Sequence, residues 1–311
     1  MKTKIWIALV ALYVVWGSTY LAIRFTVETI PPFLSAGMRF LVSGTILMIW
    51  RRIAGDAMPT KRQWRSTAIV GILLLLGGNG LVSFAEQYMP SGITALIIGS
   101  IPLWMVMIEA LRSGGVKPGW QAILGLLIGF SGIFLLIGPA QITGANHTFN
   151  PLGVGALLTA TLLWSIGSIY SRSADMPKSS LMGTGAEMLT GSVALFFVSG
   201  LTGEWNGFSF THVTLNSWLG LTYLITIGSL VGFVSYGWLL QNAPVSLVAT
   251  YAYVNPMVAV FLGAWLANET LNGRILMAAL IIIGSVMLIN QSKSSKVKVI
   301  EEETIQPAPV K

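Results

Sequence analysis

Thr250-Tyr251-Ala252-Tyr253-Val254-Asn255-Pro256 is the stretch on which the reading of the fold turns. It lies inside an apolar run, 247–266, long enough to cross a bilayer. Pro256 has no amide hydrogen, so a helix through it leaves the carbonyl of Ala252 without its usual partner. In hydrocarbon such a carbonyl must be satisfied by neighbouring protein or by a water-filled cavity. Tyr251, Tyr253 and Asn255 place two hydroxyls and an amide beside it. Two readings stand: a kink packed by neighbouring helices, or a weakened helix lining a polar space between halves of the molecule. The second is favoured because the same feature recurs in the first half, at Pro102.

Working outward, the whole chain is built for a membrane. Of its 311 residues, 54% are apolar and only 9% charged, against roughly 25% charged in soluble domains. Apolar runs at residues 5–23, 33–50, 68–85, 92–111, 121–138, 152–170, 181–201, 218–240, 247–266 and 275–289 give ten expected spans. The first is too long for a signal-peptide core and offers no small-residue cleavage site, so it is expected to be retained. There is no cysteine, and both histidines and both aspartates fall in expected loops. No metal site and no cofactor is therefore expected. The net charge of +7 sits mostly in short loops, which the membrane explains without nucleic acid. With ten spans, 15 of the 18 Lys and Arg fall on the side of the N-terminus, which predicts a cell-membrane protein with both termini cytoplasmic. The tail from Gln291 to Lys311 is polar and expected to be disordered.

The halves repeat. Trp16-Gly17-Ser18-Thr19-Tyr20 in the first span matches Trp164-Ser165-Ile166-Gly167-Ser168-Ile169-Tyr170 in the sixth. Ser35 to Arg39 align at the same offset with Gly183 to Glu187, and Pro90 and Pro102 share their spacing with Pro244 and Pro256. Residues 1–138 and 151–290 are thus two five-span units joined by a connector, 139–150. An odd number of spans per unit inserts the second copy upside-down. Secondary transporters are commonly built from such inverted repeats, with the solute site near the midplane at matched, interrupted helices.

These residues resemble a known family. Trp16 to Tyr20, Met38-Arg39-Phe40, Gly78-Asn79-Gly80, Glu187-Met188-Leu189 and the stretch 250–256 are similar to the drug/metabolite transporter superfamily, EamA type, and within it to the YedA-like exporters. The resemblance spans about residues 5–290. It implies ten helices in two repeats around a central cavity, and efflux of small metabolites. Such families carry an acid between the last two spans of the second half, which Glu269 matches; the first half has Ser113-Gly114-Gly115 instead.

Candidate site residues follow. Trp16, Tyr20, Trp164 and Tyr170 are candidates for an aromatic cavity lining suited to cationic or apolar solutes, or for an interface belt and helix packing. Asn79 offers an amide to solute or to a neighbouring helix. Pro102, Tyr251, Tyr253, Asn255 and Pro256 mark the interrupted helices. Ionisable groups inside spans are functional hypotheses by default. Arg39 and Glu187 lie at depths about 10 Å apart, so they are read as separate sites, with Glu28 or Glu86 as expected partners of Arg39. Glu187 is the candidate carrier of a coupled proton, or an acid held by Arg172 or Lys178. Gly125-xxx-Gly129 and Gly228-xxx-Gly232 permit close helix packing within the chain or a homodimer face. The absence of a Walker-type loop excludes direct use of ATP. The reading is a secondary transporter, not an enzyme. Its alternatives are an uptake permease or channel of the same fold, or an integral-membrane transferase, which would need a His or Asp inside the bundle.

Overall fold

An apolar chain in a bilayer must satisfy its own amides, and helices do so segment by segment. The computed structural model describes residues 2–112, 117–137, 150–243, 245–248 and 250–305, and these form helices and turns with no strand among the described residues. Spans 1 and 2 are Lys2–Thr26 and Pro32–Ile53. Span 3 is Lys61–Ala85, and span 4 consists of Ser91–Ile98 and Ile101–Leu111. Spans 5, 6 and 7 are Trp120–Ile137, Pro151–Ser171 and Ser180–Leu201. Span 8 joins Leu215–Tyr223, Leu224–Val231 and Gly232–Asn242. Span 9 is Tyr251–Leu266, preceded by the turn of helix Val245–Val248, and span 10 is Gly273–Ile305. Eight are long and apolar enough to cross a membrane, and the last two contribute shorter apolar helices.

Local chemistry starts these helices where the sequence allows. Prolines occupy the first turn of spans 2 and 6, where their missing N–H costs nothing. The Asn150 side chain accepts from the Leu152 amide and Ser179 from Met182. Thr60 and Gln63 form a reciprocal capping box at span 3.

The inverted repeat appears as matched helix pairs. Spans 2 and 7 pack together: Gly44 lies against Met188, Gly37 against the Phe196 ring and Gly185 against Met48. This antiparallel register sets Arg39 and Glu187 roughly 8 Å apart along the pair, in line with the depth argument. Spans 5 and 10 form the second pair, with Gly125 against Ile289 and Gly132 against Ile281 and Ile282. Gly228 and Gly232 face Thr19 and Trp16 of span 1. Both glycine pairs are therefore buried inside the chain, which corrects the homodimer face considered for them.

Three further differences from the sequence reading have physical causes. Span 4 breaks at Gly99-Ser100, ahead of Pro102, because Pro102 sits in the first turn of a new helix, where proline is tolerated. Span 9 is interrupted earlier, before Tyr251, and carries Pro256 in its interior. The backbone of span 10 continues to Ile305 in place of a disordered tail from Gln291; the Lys- and Glu-rich sequence there has good helix propensity. Residues 306–311, the connector 138–149, Pro244 and Ser113-Gly114-Gly115 lie outside the described residues.

One feature had no sequence signal. Spans 3 and 8 each change from α- to π-helix in mid-membrane, at Ile72–Gly80 and Leu224–Val231. π turns are rare and recur at functional sites. Here they occupy matching places in the two repeats.

Candidate functional site

The candidate site is built around spans 4 and 9, which cross between the two repeats. Spans 4 and 9 touch where span 4 breaks: a Cβ on Gly99 would stand 2.9 Å from Pro256 Cγ, inside the helix of span 9. Span 1 presses on span 9 nearby, with Gly17 against Val258 and the Asn255 carbonyl. Asn255 is buried, and its side-chain nitrogen, placed to donate, reaches the carbonyls of Tyr13 (3.2 Å) and Tyr251 (3.1 Å). The Tyr13 and Thr250 hydroxyls are also hydrogen-bonded. Asn255 therefore ties span 9 to span 1, and its amide serves neighbouring backbone in place of a polar space.

The aromatic candidates divide. Trp16 forms a group with Phe233, Tyr236 and Tyr251, at ring-centroid distances of 5.4, 5.2 and 5.1 Å. Tyr236 and Tyr251 meet edge to face at 5.8 Å. Trp164 lies instead on the π segment of span 3, where a Cβ on Gly78 would come within 2.5 Å of its ring. Its repeat counterpart Trp16 lies in the same way on Gly232, just beyond the π segment of span 8. Each repeat thus lays the tryptophan of its first span over a glycine of the other repeat's third. The sequence carried this signal: the offset that matches the prolines also matches Gly78 to Gly232. Tyr20 is half-buried and packs against the main apolar core. Tyr170 ends span 6 half-buried, outside the Trp16 group among the described residues. The Asn79 amide turns back toward the Leu74 carbonyl at 3.5 Å, serving the π segment itself. Pro102 is half-buried at the start of the second part of span 4. The side chain of Tyr253 lies outside the described residues.

The intramembrane charges are placed apart. Arg39 is 6% exposed; its Nε donates to Ser229 Oγ in the π segment of span 8 at 2.9 Å, and its guanidinium lies 4.8 Å from the Phe40 ring centre. Among the described residues it forms no ion pair, which corrects the expected pairing with Glu28 or Glu86. Glu28 is exposed, and Glu86 is buried close to Tyr20, Arg24 and Glu269. Glu187 lines a polar cavity of about 250 Å³ with Lys178, Thr184 and Ser171. Its carboxylate has no ion pair to Arg172 or Lys178 among the described residues. This cavity lies at the basic end of the bundle, where Arg51 also holds Asp56 at 2.8 Å and keeps its carboxyl below the usual range.

At the opposite end two acids cap helix starts of the other repeat. Glu269 accepts from the Ser91 amide (2.7 Å), the Ser91 hydroxyl (2.8 Å) and the Gly92 amide (3.0 Å), and lies 3.8 Å from Arg24. Glu204 accepts from the amides of Phe33 and Leu34 at 3.1 and 2.8 Å. Each carboxylate satisfies amides that a helix start leaves open. Glu269→Ala is expected to cost roughly 2–4 kcal/mol, the sum of a lost cap and buried amides left unpaired. The thermal unfolding midpoint in detergent measures it, and Glu269→Gln, which keeps an acceptor, should lose less. An unchanged midpoint for Glu269→Ala would show that the cap carries no weight. Among the described residues, no three His, Asp, Glu or Cys gather as metal ligands.

Comparison with known proteins sets this arrangement among relatives. Residues 3–138 and 151–291 each match the model of the EamA-like transporter family. The chain is 36% identical over 288 residues to the uncharacterized inner membrane transporter YedA of Escherichia coli K12, covering 92% of this chain and 90% of that one. It is 26% identical over 295 residues to protein PecM of Dickeya dadantii, covering 93% and 94%. A protein crystal structure superposes with a TM-score of 0.63 at 20% identity, covering 92% of this chain and 98% of the other, a likeness of fold.

Proposed function

The chain belongs to the EamA-like transporter family and is a multi-pass membrane transporter; from that premise we propose that it is a secondary active exporter of small metabolites, working by alternating access. The observation that carries the proposal is the crossing of the two interrupted spans at Gly99 and Pro256, between inverted repeats whose ends are closed unequally. Glu269 and Glu204 hold one end. The other end has a polar cavity lined by Glu187. Such a molecule has two arrangements related by its pseudo-two-fold axis, and rocking one repeat against the other exchanges them. The excess of Lys and Arg at the Glu187 end makes that end cytoplasmic, together with both termini. The conformation described is then the one that loads solute from inside, as an exporter requires. Glu187 is the group we assign to proton coupling.

Counterflow in proteoliposomes tests the carrier reading. Protein preloaded with unlabelled amino acids and small organic acids and amines should accumulate the labelled form of at least one, saturably and without ATP. A linear, unsaturable leak would favour a channel. Absence of accumulation by folded protein across the pool would count against the carrier.

A further inference from the structure

We infer that Arg39 anchors the anionic group of the transported solute, a carboxylate carried on an apolar body; the inference rests on the carrier reading above. A guanidinium keeps its charge and offers five N–H donors in a flat fork. Arg39 is 6% exposed, and among the described residues only its Nε is used, on the neutral hydroxyl of Ser229. The Phe40 ring lies beside it, and among the described residues no carboxylate forms an ion pair with it. A cation left so in a membrane interior is costly to keep, and such residues mark solute and ion pathways.

Its position fits that role. Arg39 reaches from span 2 of one repeat to the π segment of span 8 in the other. It also lies beside span 1: a Cβ on Gly228 would stand 3.0 Å from Thr19 Cγ2 and 3.5 Å from Arg39 Nη2. The free side of the fork therefore sits where three spans from both repeats converge, the place inverted-repeat carriers use for solute. The terminal nitrogens of a guanidinium match the two oxygens of a carboxylate. Trp16 precedes Thr19 by one turn of span 1, about 4.5 Å along the helix. It leads the aromatic group of Phe233, Tyr236 and Tyr251. An anion held at Arg39 would rest its apolar part on those rings. The rings alone would also accept a cation, but Arg39 repels one. The geometry thus selects small carboxylates over amines.

The test uses full-length protein in detergent, followed by its tryptophan fluorescence on heating, with phenylacetate, phenethylamine and phenethyl alcohol at equal concentration. Phenylacetate should raise the unfolding midpoint by several degrees and the amine should not, since only a ligand of the native state stabilises it. Arg39→Gln should lose that response; Arg39→Lys, a point charge without the fork, should keep a weakened one. Ligand-free Arg39→Met should be at least as stable as the native protein, because an uncompensated buried charge has been removed. An equal response to phenethylamine, a response retained in Arg39→Gln, or no response to phenylacetate overturns the inference. So does a clearly lower midpoint for Arg39→Met, which would make Arg39 a structural tie through Ser229. Counterflow separates the two readings. Phenylacetate binding without counterflow leaves the site standing and removes the carrier. Counterflow of other solutes without a phenylacetate response removes the site and leaves the carrier.

Discussion

Glu187→Gln is expected to abolish the proton-driven part of transport, by on the order of 100-fold, while the protein stays folded. That factor is the usual loss when a positioned proton carrier is removed. Glu187 lines the polar cavity of about 250 Å³ at the basic end. Among the described residues no ion pair holds its carboxylate, which is why it is the group proposed to exchange a proton. Gln keeps the shape and the polarity and loses only the proton. Because no ion pair is broken, the cost in stability should stay within about 1 kcal/mol. Two assays divide the effect. Flux driven by a pH gradient should vanish, whereas counterflow at equal pH, which needs no net proton movement, should persist. Flux at the native level with unchanged pH dependence would remove Glu187 from the mechanism.

Enlarging either of two glycines should disable the carrier equally. A Cβ on Gly78 would come within 2.5 Å of the Trp164 ring, and one on Gly232 would collide with the Trp16 indole. Indoles packed directly on helix backbone have little room to move, so Gly78→Leu and Gly232→Leu should each cost about 1–3 kcal/mol, the usual range for overpacking. Both should also stop counterflow, because each wedges a first span away from the partner repeat's third. Gly155 and Gly200 face open space. Leucine there should change stability by less than about 0.5 kcal/mol. Unfolding midpoints and counterflow on the four variants decide the matter. Damage from only one of the two buried substitutions would mean that the repeats do not work as symmetric partners.

The sequence was informative where the bilayer or the repeat imposed a pattern. Ten apolar runs became ten spans, and the match at Trp16/Trp164 corresponds to matched places in the fold, whereas Pro102 starts a helix and Pro256 lies inside one. The separation of Arg39 from Glu187 followed from rise per residue and holds in the register of spans 2 and 7. The rest depended on tertiary neighbours. Pro256 marked an interrupted span, but it lies inside the helix that begins at Tyr251. Ser229 meets Arg39 from the π segment of span 8 and Phe233 meets Trp16 just beyond it, and nothing in Leu-Ile-Thr-Ile-Gly-Ser-Leu-Val shows a change of helix type. Asn255 read as a cavity group because its donors were visible in sequence, while the carbonyls that take them, on Tyr13 and Tyr251, were not. The acid at 269 matched a family pattern; its work, capping Ser91 and Gly92, needed the fold.

Those caps tie one repeat to the other. Glu269 and Glu204 both belong to the second repeat, and the helix starts they complete, in spans 4 and 2, both belong to the first. The exchange is reciprocal at one of the two places. Asp56 of the first repeat, at the position matching Glu204, bonds Ser179 at the start of span 7, whereas the place matching Glu269 carries Ser113-Gly114-Gly115. Two copies of the first half could not stand in for the whole molecule, since neither would supply the carboxylate that Glu269 brings. If the unit began as a self-pairing protein with identical subunits, fusion has since let the halves diverge at that cap, and the chain is no longer divisible into equals.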